Sequence, residues 1–124
     1  MHLPYPVSFF RWFLLVVLFV PSIGRAEEPN QFSAVQAVFQ KHCMDCHEAK
    51  DPEANLVLEN FETLMKGGES GAAVIAGKSA ESLLVKMVEG KIERDGKKLI
   101  MPPGKSKKLD LAEIEVIKAW IDAG

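Results

Sequence analysis

Downstream of residue 30 the apolar positions recur at helical spacing with polar residues between them. Phe32, Val35, Val38 and Phe39 share one face of a helix predicted over about Gln31 to His42, with Asn30 as its N-cap. Lys50-Asp51-Pro52-Glu53 reads as a turn, and Leu56-Val57-Leu58 is a short apolar run. Asn60 stands where it caps a short helix through Phe61, Leu64 and Met65, which Gly67-Gly68 stops. Ala72 to Ile75 is a second apolar stretch, expected to be buried. Ser79 reads as the N-cap of a helix that carries Leu83, Leu84, Met87 and Val88 and closes at Gly90.

From Lys91 to Lys108 the chain is polar and marked by Pro and Gly, the pattern of one long flexible loop. Loops of that length in small domains usually serve function. The last helix carries the strongest signals. Asp110 and Glu113 have capping-box spacing, Leu109 and Ile114 flank them as a hydrophobic staple, and Leu111, Ile114, Ile117, Trp120 and Ile121 form its apolar stripe. The expected fold is therefore all-α, with the last helix crossing the first to close one small core.

Residues 1–26 have a different pattern. Arg11 precedes an apolar run from Trp12 to Val20, Pro21 breaks it, and Gly24-Arg25-Ala26 places small residues as an export cleavage site requires. The run is far short of the ~20 apolar residues that cross a bilayer. The segment reads as a signal peptide, with a membrane association expected only if it is retained as an anchor. No cysteine precedes Cys43, so a lipid anchor at the cleavage point is excluded.

Of 124 residues, 98 remain after that segment, enough for one small domain with a modest core. Fifteen basic residues less Arg11 and Arg25 leave thirteen, against seventeen acidic ones, a mature charge of about −4. That balance argues against nucleic acid as a partner. Lys105, Lys107 and Lys108 form the one basic cluster and read as a solvated loop.

The chemistry is concentrated in Cys43-Met44-Asp45-Cys46-His47, which holds the only two cysteines. C-x-x-C-H is the attachment pattern of c-type haem. Each thiol adds across one haem vinyl group, a two-residue spacer lets both reach the same porphyrin edge, and His47 can turn its ring onto the iron. Three other readings stand beside it. A redox dithiol would expect a βαβ context, which this sequence lacks. A structural zinc site needs four ligands, and His42 would have to join the three crowded into this turn. A disulfide between Cys43 and Cys46 would be strained and would leave His47 unexplained. Export favours the haem reading, because bare thiols in an oxidising compartment tend to close into a disulfide.

The sixth iron position has few candidates. His42 immediately precedes Cys43 and should lie on the proximal side, as should Met44. Met65 and Met87 sit on amphipathic helical faces, where core packing is the default. Met101 sits in a loop with Pro102 and Pro103 behind it, and the prolines stiffen that loop by fixing φ. Met101 is therefore the expected distal ligand, and Met65 stands second. Met/His ligation raises the reduction potential and leaves no open iron position, which suits a carrier.

These residues together resemble class I c-type cytochromes, and more narrowly the planctomycete-type cytochrome c domain. The likeness rests on Val38-Phe39 through His47, Gly67-Gly68-Glu69-Ser70-Gly71, Gly77-Lys78-Ser79, Glu81-Ser82-Leu83-Leu84, Met101-Pro102-Pro103 and the closing helix. It implies a helical domain over residues 35–124 around one covalent haem c, preceded by the signal peptide at 1–26 and a short lead at 27–34. It implies Cys43 and Cys46 as thioether sites, His47 as proximal ligand, Met101 as distal ligand, and a haem-facing glycine loop. Glu48 departs from a common Gly, and Ala73 and Ala76 from common prolines. The function implied is an exported, periplasmic or outer-face carrier of single electrons, not an enzyme, which docks transiently on redox partner proteins. A peroxidase-like enzyme or a haem sensor is the alternative should Met101 leave the iron.

Overall fold

The computed structural model describes residues 29–104 and 108–124, with side chains from Phe32 onward. The leader at 1–26, most of the lead at 27–34, and Lys105 and Lys107 therefore lie outside the described residues or their side chains.

Five α-helices are described: α1 Pro29–His42, α2 Met44–His47, α3 Phe61–Lys66, α4 Leu83–Val88 and α5 Leu111–Asp122. Two single-turn 3₁₀ segments, Glu53–Asn55 and Ser79–Glu81, lie between them. Helix α1 already includes Pro29, so Asn30 lies in its first turn and is not its cap. Pro suits that opening position because the first helical N–H groups have no intrahelical partner.

Val35, Val38 and Phe39 of α1 are buried against Ile117 and Ile121 of α5, with Leu58, Leu64, Val74 and Val85 completing the core. Burying each of these aliphatic or aromatic side chains is worth about 1.5–3 kcal/mol relative to exposure. The expected crossing of the first and last helices is thus present. The stripe on α5 is narrower than its spacing predicted. Ile114, Ile117 and Ile121 are buried, but Leu111 is 82% exposed. It occupies the first helical turn and faces solvent, whereas Glu113 of the same turn meets Lys41 and His42 of α1. Ala73 and Val74 are buried as expected, whereas Ile75 is exposed.

The caps follow local chemistry. Asn60 accepts from the Thr63 N–H at 2.9 Å, and Gly67 ends α3 at φ 73°. The Asp110–Glu113 capping box forms in both directions, at 2.8 and 3.0 Å. Ser79 does not cap α4; Ser82 is the residue before it. Ser79 instead gives its N–H and hydroxyl to the two carboxylate oxygens of Asp122, each at 2.8 Å, and so pins its turn to the end of α5.

The segment from Lys91 also differs from expectation. It folds into an antiparallel hairpin, β1 Ile92–Arg94 with β2 Lys97–Leu99, in the register Ile92 with Leu99 and Arg94 with Lys97. The reason is Asp95-Gly96. Both residues take positive φ, 52° and 71°, the backbone of the tight turn that matches strand twist. The all-α expectation therefore holds for the core but missed this two-stranded ribbon.

Candidate haem site

The attachment motif begins where α1 ends. The Cys43 N–H still donates to the Phe39 carbonyl at 2.7 Å, and the N–H groups of Cys46 and His47 donate to the Cys43 carbonyl at 3.2 and 3.1 Å. That single turn places Cys43 and Cys46 three residues apart on one side of a helical surface. Both are free thiols. Burial, with the neighbouring Cys46 adding to it, pushes the Cys43 thiol up to about 11. A redox dithiol attacks through a thiol of lowered pKa, and burial moves Cys43 the other way.

His47 is oriented by the chain that follows. Its Nδ1 lies 3.0 Å from the Leu56 carbonyl, which can only accept, so Nδ1 donates there and Nε2 is the nitrogen left to bind a metal. The Leu58 N–H donates back to the His47 carbonyl at 3.0 Å and holds the same segment in place. This is the outer support that a metal-binding imidazole ordinarily has.

The segment 53–56 is itself held by the glycine loop. Ala54 and Asn55 both sit at φ 53°, a left-handed backbone that disfavours side chains. The Ala54 carbonyl accepts the Glu69 N–H at 2.8 Å, and the Asn55 amide donates to the Glu69 carboxylate at 2.7 Å. Gly67 must be glycine, because a Cβ there would lie 2.2 Å from the Gly71 carbonyl oxygen.

These elements enclose a cavity of about 360 Å³, a size usual for bound organic ligands. Cys43, Cys46, His47 and Met101 all line it. So do Gly68, Ser70 and Gly71 of the glycine loop. Leu56, Leu58, Leu83, Leu84, Val88 and Pro102 supply apolar walls. Two thiols on one helical turn, an imidazole with a free Nε2, and apolar walls are what a covalently tethered haem requires.

The methionines separate by position. Met101 lines the cavity and is 38% exposed, and its N–H donates to the Met87 carbonyl at 3.0 Å. Met65, the second distal candidate, packs against the core and does not line the cavity. Met87 does line it, because α4 turns that face inward. Helical periodicity assigned both to core packing and could not tell them apart.

His42 lines the same cavity, yet its Nε2 meets the Glu113 carboxylate of α5 at 2.9 Å. Lys41 donates to that carboxylate at 2.6 Å. These hydrogen bonds, from Lys41 first, hold Glu113 down at about 2. Neither contact was legible in the sequence, since it joins residues more than 70 positions apart. Among the described residues, no three Cys, His, Asp or Glu side chains converge to hold a bare metal ion.

A family model described as Planctomycete cytochrome C matches residues 43–105, just over half of the chain. The chain belongs to that family. The matched segment starts at the first thiol of the attachment motif and runs past Met101-Pro102-Pro103. Membership indicates covalently bound haem c and haem-based electron transfer, and Cys43 and Cys46 have the spacing that attachment needs. No curated protein and no solved structure matches the chain significantly.

Proposed function

We propose that the protein is an exported monohaem cytochrome c that carries single electrons between redox partners, with His47 and Met101 as its axial ligands. One observation carries the reading: both thiols, the oriented imidazole and the Met101 thioether line a single cavity. Bound haem would supply a one-electron iron couple. Cys43 and Cys46 would tether it by thioether bonds. The Nδ1–H bond to Leu56 would fix the His47 ring and leave Nε2 as the nitrogen for the iron. A Met101 thioether on the iron would favour the ferrous state and raise the potential. With both residues bound, little would rearrange between oxidation states, and no position would be left for peroxide or oxygen. The export proposal rests on residues 1–26 and places the mature protein in the periplasm or at the outer face of the membrane.

The test is the visible spectrum of the mature protein, made with haem-maturation machinery, in both oxidation states and beside Met101→Ala. A covalent c-type spectrum whose sulfur-to-iron charge-transfer band vanishes in the variant supports the carrier. A band that survives assigns the iron to another sulfur. A native haem that binds carbon monoxide readily turns the reading to an enzyme or a sensor. Absence of haem sinks it altogether. N-terminal sequencing of the exported product should begin at Glu27.

A further inference from the structure

No residue of the hairpin lines the haem cavity. In its register Arg94 lies directly opposite Lys97, with Cβ atoms ~5 Å apart on one face. Like charges so placed oppose pairing. Both side chains are exposed, and neither makes an ion pair among the described residues. Glu93 and Lys98 belong to the other face, and Asp95 sits in the turn. Lys91 is already engaged by Glu89 at 2.5 Å. A chain of net negative charge thus spends stability to keep two cations side by side. Local rules broken in this way mark functional positions.

Their location gives the arrangement a purpose. Strand β2 ends at Leu99, two residues before Met101, or ~7 Å of extended chain. Met101 and Pro103 are exposed beside the cavity they line. Ile100 packs on Gly90 and ties the base of the hairpin to the end of α4.

We infer that this hairpin is the docking element for a redox partner with an acidic surface, Arg94 and Lys97 steering that surface to the Met101 edge of the cavity. The inference rests on the electron-carrier reading. A membrane surface is the weaker match, because anionic lipid recognition draws on clusters of about 4–8 basic residues, and the hairpin offers Arg94, Lys97 and Lys98.

The experiment uses the ferrous holoprotein and two small oxidants of opposite charge. Hexacyanoferrate(III) and tris(1,10-phenanthroline)cobalt(III) each take one electron, ferrous haem becoming ferric and the reagent falling to its divalent metal, with no proton moved. Rates are followed from about 0.1 to 1 M salt, where the screening length shrinks from about 10 to 3 Å and only nearby charges act. If the hairpin governs approach, the anionic reagent slows as salt rises, despite the protein's net negative charge, and the cationic one accelerates. The double variant R94E/K97E then reverses both slopes and slows the anionic reagent by about tenfold at the lower salt. Its visible spectrum and midpoint potential stay unchanged.

Salt slopes that follow the net charge in the native protein, or that ignore the double variant, overturn the inference. So does a variant that acts by moving the midpoint potential. Co-sedimentation with anionic phosphatidylglycerol vesicles, abolished in the variant, would assign the patch to a membrane and overturn it as well. The spectrum is read before any oxidant is added. A missing haem therefore defeats the carrier reading, whereas a normal haem with the wrong slopes defeats only the docking inference.

Discussion

His42 and Glu113 meet at 2.9 Å, joining the last residue of the helix that precedes the attachment motif to the first turn of the helix that closes the core. Glu113 also accepts from Lys41 and from the Asp110 N–H, so one carboxylate caps α5 and clamps α1. The thiols begin one residue beyond His42. The position of the motif is therefore set partly by a contact with the far end of the chain.

That clamp predicts an acid-sensitive fold. The folded Glu113 sits at about 2, below the ~4.3 usual for a glutamate. Its contribution is present above the unfolded value and is lost as pH falls from about 5 towards 2. Urea midpoints followed by far-ultraviolet circular dichroism should fall over that window, and fall less in Glu113→Gln. Asp122, held low by Ser79, retains its share in both proteins. Superimposable pH profiles for the two would refute the clamp.

Ser82 is fully buried, accepts the Ile75 N–H at 2.9 Å and donates to the Lys78 carbonyl at 2.9 Å. Ser82→Ala removes the acceptor of the part-buried Ile75 N–H and the donor to Lys78, at a cost of about 1–3 kcal/mol. Chemical denaturation measures this directly. A loss below about 0.5 kcal/mol, the range of ordinary surface changes, would mean that the loop finds another acceptor.

Two glycines of positive φ should behave differently. At Gly67 a Cβ collides with the Gly71 carbonyl oxygen, whereas at Gly96 (φ 71°), in the hairpin turn away from the cavity, no protein atom lies within 4 Å of it. Gly96→Ala should cost only the left-handed backbone strain, about 1–2 kcal/mol. Gly67→Ala adds about 1–3 kcal/mol of overpacking and should lower haem incorporation too. Thermal melts of the pair test the order; equal melting temperatures would contradict the geometry.

Along α5, residues of similar hydrophobicity carry unequal weight. Ile117→Ala should cost about 2–5 kcal/mol, because its neighbours cannot fully refill the cavity. Leu111→Gln should change stability by less than about 0.5 kcal/mol. The comparison is made by urea unfolding, and a large loss at Leu111 would show that a surface packs on it.

Much of this protein was legible in the sequence because its signals are local. The haem motif, the Asn60 cap, the Gly67 stop and the Asp110–Glu113 box each depend on residues within one or two turns, and one-dimensional spacing suffices for those. Asp95-Gly96 was an equally local signal for the hairpin, hidden by the polarity of its surroundings. Periodicity also identified the helical faces of α1 and α5. What periodicity lacks is any record of what packs on each position, so it enrolled Leu111 in a core, although α1 meets that turn of α5 through Glu113 instead.

The remaining decisions belonged to tertiary structure, for the same reason. Met65 and Met87 have equivalent local patterns, and only the packing of α4 beside the attachment motif turns Met87 into the cavity and leaves Met65 in the core. Ser79 has the sequence of a helix cap, yet Asp122, 43 residues away, offers it a carboxylate and takes both of its donors. The tautomer of His47 depends on a carbonyl nine residues downstream. The sequence by itself determined the chemistry available, since thiols, imidazole and thioether are properties of residues. Which of them share one cavity was decided by the fold, because hydrogen bonds and burial act between neighbours in space.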